Sequence, residues 1–111
     1  MSKVLQLNEA LLHELALLIN SELDFPEALV TVSYVDCSPD LKQAKVGFSV
    51  LPDRLSGTAL RKLQAASGHL VGALAKRLPL RRLPHLIWEF DPTEKEAGKI
   101  ERLIAGLGDE N

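Results

Sequence analysis

Seven positive side chains and no negative one lie between Asp53 and Glu89: Arg54, Arg61, Lys62, Lys76, Arg77, Arg81 and Arg82. Cations placed like this, with no acid among them, suit the holding of phosphates. Local field, rather than total charge, steers a polyanion. The bias is invisible in the whole chain, whose formal net charge is −2. It is masked by the stretch from Asp91 to Asn111, where Asp91, Glu94, Glu96, Glu101, Asp109 and Glu110 outnumber Lys95, Lys99 and Arg102. The cations fall in two groups around Ala66-Ser67-Gly68: Arg61 and Lys62 before it, and Lys76, Arg77, Arg81 and Arg82 after it. These six are the candidate RNA-phosphate contacts.

Other chemistry finds no constellation to carry it. His13, His69, His85 and Cys37 sit on separate segments without ligand spacing, so no metal site is expected. No glycine-rich phosphate loop follows a strand, so no nucleotide or other cofactor is expected. Ser67 and His69 are close in sequence, but no third group orients them as a catalytic set. Cys37 has no basic neighbour to activate its thiol and reads as a small residue at a strand end. Trp88 alternates with Leu86 and Phe90 and reads as core rather than as a base-stacking platform. The paired aromatics of a sheet-type RNA reader are missing. The expected protein is not an enzyme.

The elements that must position the cations follow from periodicity. Val4, Leu7, Leu11, Leu15, Leu18 and Ile19 form one helical stripe, and Asp24-Phe25-Pro26 ends it. Leu29 to Asp36 is rich in β-branched residues and predicts a strand, with Val30, Val32 and Tyr34 on one side and Thr31, Ser33 and Val35 on the other. Ser38-Pro39-Asp40 signals a turn. Ala44, Val46, Phe48 and Val50 then alternate with Lys45, Gly47 and Ser49 as a half-buried strand, antiparallel to the first. Leu51 to Gly57 is a loop, from which Ser56 or Thr58 could cap the next helix. Leu60, Leu63, Leu70, Leu74 and Leu78 carry that helix. Gly68 and Gly72 within it cost about 1 kcal/mol each relative to alanine, which predicts a kink or break at Ala66, Ser67 and Gly68. Leu86 to Phe90 predicts a third strand. Thr93-Glu94-Lys95-Glu96 reads as a capping box opening a short last helix through Ile100, Leu103, Ile104 and Leu107.

The expected class is therefore α+β, with helices on one face of a three-stranded sheet. The 111 residues fit one domain, and there is no internal repeat or linker. No apolar run is long enough to span a membrane, no signal peptide is evident, and a single cysteine excludes an internal disulfide. A cytoplasmic protein without membrane attachment is expected.

Three stretches carry a resemblance. They are the Leu63-Gln64-Ala65-Ala66-Ser67-Gly68 run, the Ser38-Pro39-Asp40-Leu41 turn followed by Ala44-Lys45-Val46, and Leu80-Arg81 with Pro84, Leu86 and Phe90-Asp91. In this order the chain resembles the ribosome-binding factor A family over almost its whole length. The resemblance implies a KH-like fold of the second type over residues 1–91, with an Ala-x-Gly kink between helices at Ala66, Ser67 and Gly68. Residues 92–111 would be a short C-terminal helix and acidic tail, packed on or extending from the same domain. It further implies a bacterial, non-catalytic assembly factor. Such a factor binds free small ribosomal subunits and their rRNA, assists late maturation and processing of the small-subunit rRNA precursor, and matters most in the cold. Small-subunit ribosomal proteins are possible further partners, and a monomer is expected. The alternative reading is a KH-like protein-interaction module without a direct RNA role.

Overall fold

The computed structural model describes residues 3–92; the expected last helix, from Thr93 to Leu107, lies outside them. Helix α1 spans Lys3–Glu22 and buries Leu7, Leu11, Leu15, Leu18 and Ile19, the stripe that its spacing predicts. Strand β1, Leu29–Cys37, pairs antiparallel with β2, Gln43–Leu51. A short 3₁₀ turn, Asp53–Leu55, leads into helix α2, Ser56–Arg77. Strand β3, His85–Phe90, then pairs parallel with β2, which lies at the centre of the order β1-β2-β3. Both helices cover one face, as the α+β expectation has it. Fully buried Phe48 meets Trp88 and Phe90 edge-on at 6.5 and 6.0 Å between ring centroids. Trp88 is core, as expected. Cys37 is buried as well, and burial, followed by nearby Asp36, pushes its thiol pKa up.

The structure corrects four sequence expectations. In β1 the pairing passes from Val32 opposite Phe48 to Tyr34 opposite Gly47, leaving Ser33 as an extra residue. Such a bulge shifts the two-residue alternation by one position. Val32, Val35 and Cys37 therefore face the core, and Tyr34 turns to the outer face of the sheet. Its ring lies on Gly47, where a Cβ would come within 2.1 Å of it. This close approach requires glycine, and it buries a position expected to be open. The Tyr34 hydroxyl donates to Glu89 at 2.8 Å, and burial followed by that bond raises its pKa to about 12.

Ser56 and Thr58 do not cap α2. Ser56 is already helical, and its N–H bonds to the Asp53 carbonyl, whereas a capping residue needs extended backbone. The break at Ala66, Ser67 and Gly68 is also absent: α2 is one helix of 22 residues. Gly68 and Gly72 in its interior cost about 2 kcal/mol together. Burial of Leu63, Leu70 and Leu74 contributes about 1.5–3 kcal/mol apiece and outweighs that cost. Ser67 turns its hydroxyl back to the Leu63 carbonyl at 3.0 Å, inside the helix, while accepting the Trp88 indole N–H at 2.6 Å. The predicted weak point is thus the joint between α2 and β3.

At the margin of the sheet, the Asn8 side-chain carbonyl accepts the Cys37 backbone N–H at 2.8 Å.

Candidate nucleic-acid interface

The six predicted cations do not form one surface. Arg61 and Lys76 are 15 positions apart on α2, a separation of about 22 Å at 1.5 Å per residue. Two of the six are used within the fold. The Lys62 ammonium lies 4.9 Å from the centre of the Phe25 ring and donates to the Asp24 carbonyl. It fastens the loop after α1 to the first half of α2. The Arg77 guanidinium donates to Glu14, which is 18% exposed, and clamps α1 to the end of α2. Arg61 is exposed and bends back along its helix, donating to the Thr58 hydroxyl at 3.4 Å.

Lys76, Arg81 and Arg82 are different. All three are exposed, and none makes a hydrogen bond or ion pair among the described residues. They sit at the C-terminal end of α2 and in the connection to β3. At that end α2 stops because Leu78 becomes extended while its N–H still bonds the Leu74 carbonyl at 2.9 Å. The negative end of the helix dipole favours cations there.

The fold adds to this end three residues that the sequence reading did not place there. Parallel pairing sets Gln43 opposite His85 and Lys45 opposite Ile87, and the His85 N–H donates to the Lys42 carbonyl at 2.9 Å. The turn between β1 and β2 therefore abuts the start of β3. Lys42, Lys45 and His85, all exposed, join the end that carries Lys76, Arg81 and Arg82. A strand–helix–strand connection implies a parallel pair, and so brings the two strand starts together. That signal could have found Lys42.

The turn holding Lys42 is fixed by its own hydrogen bonds. Asp40 accepts from the Ser38 hydroxyl at 2.6 Å and the Lys42 N–H at 3.0 Å, and these bonds hold its carboxyl pKa below the ordinary value. The Gln43 N–H donates to the Ser38 hydroxyl at 3.1 Å. Leu41 takes a left-handed backbone, φ 61°, which costs a residue with a Cβ about 1–2 kcal/mol. The turn is thus held in a single shape that projects Lys42 beside the 78–84 connection.

Between the ends, the outward side of α2 is bare. Ala65, Gly68, Gly72 and Ala75 are exposed, and a Cβ at Gly68 or Gly72 would meet nothing within 4 Å. No internal packing requires either glycine. Alongside, Gln64, Ser67, His85, Leu86, Ile87 and Trp88 line a notch between α2 and β3. Ser67 and His69 diverge: the serine hydroxyl serves Leu63 and Trp88, and His69 meets Glu22 of α1 at 2.7 Å. They do not form a nucleophile–base pair. Among the described residues no three His, Cys, Asp or Glu side chains group as metal ligands, and no helix is long and apolar enough to cross a membrane.

The family model described as "Ribosome-binding factor A" matches residues 3–104. A protein named ribosome-binding factor A from Thioalkalivibrio sulfidiphilus is 35% identical over 105 residues, covering 93% of this chain and 81% of its own. Another of that name, from Desulfitobacterium hafniense, is 34% identical over 107 residues, covering 95% and 86%. The crystal structure of ribosome-binding factor A from Thermus thermophilus superposes with a TM-score of 0.72 at 35% identity, covering 78% of this chain and 93% of that one.

Proposed function

This chain belongs to the ribosome-binding factor A family, and from that premise we propose that it binds free small ribosomal subunits through their rRNA as a non-catalytic assembly factor. The observation that carries the site is the set of unpaired cations at one end of the fold, Lys76, Arg81 and Arg82, joined by Lys42. Charges already held by internal carboxylates or rings have less to gain from a phosphate, and these four are held by none. The bare strip of α2 beside them lets a sugar–phosphate backbone come close to the helix.

In this reading the protein acts in the cytoplasm as a monomer, with small-subunit ribosomal proteins as secondary contacts. It assists late maturation of the subunit, above all in the cold, while other enzymes cut the rRNA precursor. Arg61, Lys62 and Arg77 contribute less than the sequence spacing suggests, because they lie apart or are engaged.

Cosedimentation with free small subunits is the test. Arg81→Glu with Arg82→Glu is expected to abolish it while the thermal unfolding midpoint stays unchanged. A folded double variant that still travels with the subunits would sink the site. The log–log salt slope of binding should be about −2.8 to −3.6 if four phosphates are neutralised. A slope near zero would instead favour an apolar protein contact.

A further inference from the structure

Helices pack by interlocking their side chains, and α1 and α2 leave that contact incomplete. An open groove of ≈ 440 Å³ runs between them, floored by Leu18 of α1 and by Gly72 and Ala73 of α2. Gly72 brings no side chain to fill it, and a Cβ there would meet nothing within 4 Å. A volume of this order, within the range of about 300–1,000 Å³ that small-molecule sites occupy, has room for an organic ring.

Two planar groups line the groove, and each is held by a carboxylate of α1. The His69 ring, 63% exposed, meets Glu22 at 2.7 Å. The Arg77 guanidinium, 46% exposed, donates to Glu14. Ala73 lies four positions after His69 and four before Arg77, about 6 Å along the helix from each. The two acids are thus engaged within the fold, and the same bonds hold the two planes in place. Imidazole rings and guanidinium planes are surfaces on which unstacked bases lie. The remaining rim group is Lys76, four positions after Gly72, exposed and without a partner among the described residues.

We propose that this groove seats one unstacked rRNA base, with its ring over Leu18, Gly72 and Ala73 between His69 and Arg77, and its phosphate on Lys76. The inference rests on the RNA-binding reading and adds the kind of RNA that is read. A duplex keeps its bases inside and offers only phosphate and sugar, whereas a loop or bulge can turn a base outward. A phosphate alone does not suit the apolar floor. An acidic protein side chain would satisfy Lys76 but would have no use for two fixed planes. Arg77, spent as a charge on Glu14, takes part here through its face.

Association with free small subunits, read together with dimethyl sulfate reactivity of the rRNA bases, tests it. The wild-type chain should protect one or a few unpaired bases. Gly72→Leu, which fills the groove, should lose that protection and lower association roughly tenfold, the scale of one stacked base. Its salt slope should stay as in the wild type, because the phosphate contacts persist. Its thermal midpoint should not fall, since leucine favours a helix over glycine and enters open space. If it does fall, Gly72→Gln, whose polar end can turn to water, supplies the same test. Association and protection that survive the filled groove would overturn the proposal. Weakened association without any base protection in the wild type would assign the groove to a protein side chain and equally overturn it. Failure of the RNA-binding reading itself looks different: Arg81→Glu with Arg82→Glu would keep association, the wild-type salt slope would lie near zero, and this proposal would fall with it.

Discussion

At the start of α2, Lys62 lies over Phe25 and donates to a backbone carbonyl; fourteen positions on, Lys76 has no partner among the described residues. Arg77, the next residue, is again held, by Glu14. Neighbouring cations in one helix thus do opposite jobs, and the difference lies in what packs beside them. Lys62 and Arg77 lie on the side of α2 that meets α1 and its following loop, where carbonyl, ring and carboxylate are supplied. Lys76 borders the groove between α1 and α2 with Leu18, Glu22 and His69, but Glu22 is taken by His69, and neither Lys76 nor Arg81 and Arg82 beyond the helix end has an ion-pair partner among the described residues. A count of positive residues measures potential; the tertiary neighbours decide how much of it remains for a ligand.

Substituting the two lysines alike should break or sharpen this contrast. Lys76→Met is expected to weaken subunit association several-fold and to flatten the salt slope by about 0.7–0.9 per lost phosphate contact, with stability unchanged. Lys62→Met should do the reverse, lowering stability by about 1 kcal/mol in urea titration through loss of the ring contact, with the slope intact. If both variants lose association equally, the division between the two ends fails.

A smaller effect with two readouts comes from the bare strip. Gly68→Ala should raise stability by about 1 kcal/mol, because the added methyl meets open space in a regular helix. Association should fall by a few-fold as the methyl holds the RNA backbone away. A gain in stability with unaltered association would place Gly68 outside the interface. The smallest effect is expected at the isolated cation: Arg61→Met should leave stability within about 0.5 kcal/mol and the salt slope unmoved.

The elements were legible because their signals are local. Leucine spacing in α1 and α2, β-branched runs in β1 and β2, and the alternation of Leu86, Trp88 and Phe90 each needed one segment only. What could not be read from the chain depended on partners distant in sequence. Ser33 is ordinary in type, and its bulge is visible only once β1 is laid against β2. Ser67 and Gly68 looked like a breaking point because the helix penalty is local, whereas the leucine burial and the Trp88 bond that outweigh it are tertiary. The site followed the same rule. Arg81 and Arg82 stood out from the missing acids around them, but Lys42 belongs with them only through the parallel pairing of β2 and β3, and Lys62 and Arg77 left the set only when α1 was in place.

The β1 bulge also bears on how the margin of the sheet would meet another chain. An outer strand is a template for another chain, and regular, flat edges seed aggregates. Here the outer strand carries an irregularity at Ser33, and the Asn8 side chain already occupies the Cys37 N–H at its end. A foreign strand arriving at this margin finds a broken rhythm and a donor in use. The same single residue that turns Tyr34 away from the core thus makes this margin a poor template for strand addition.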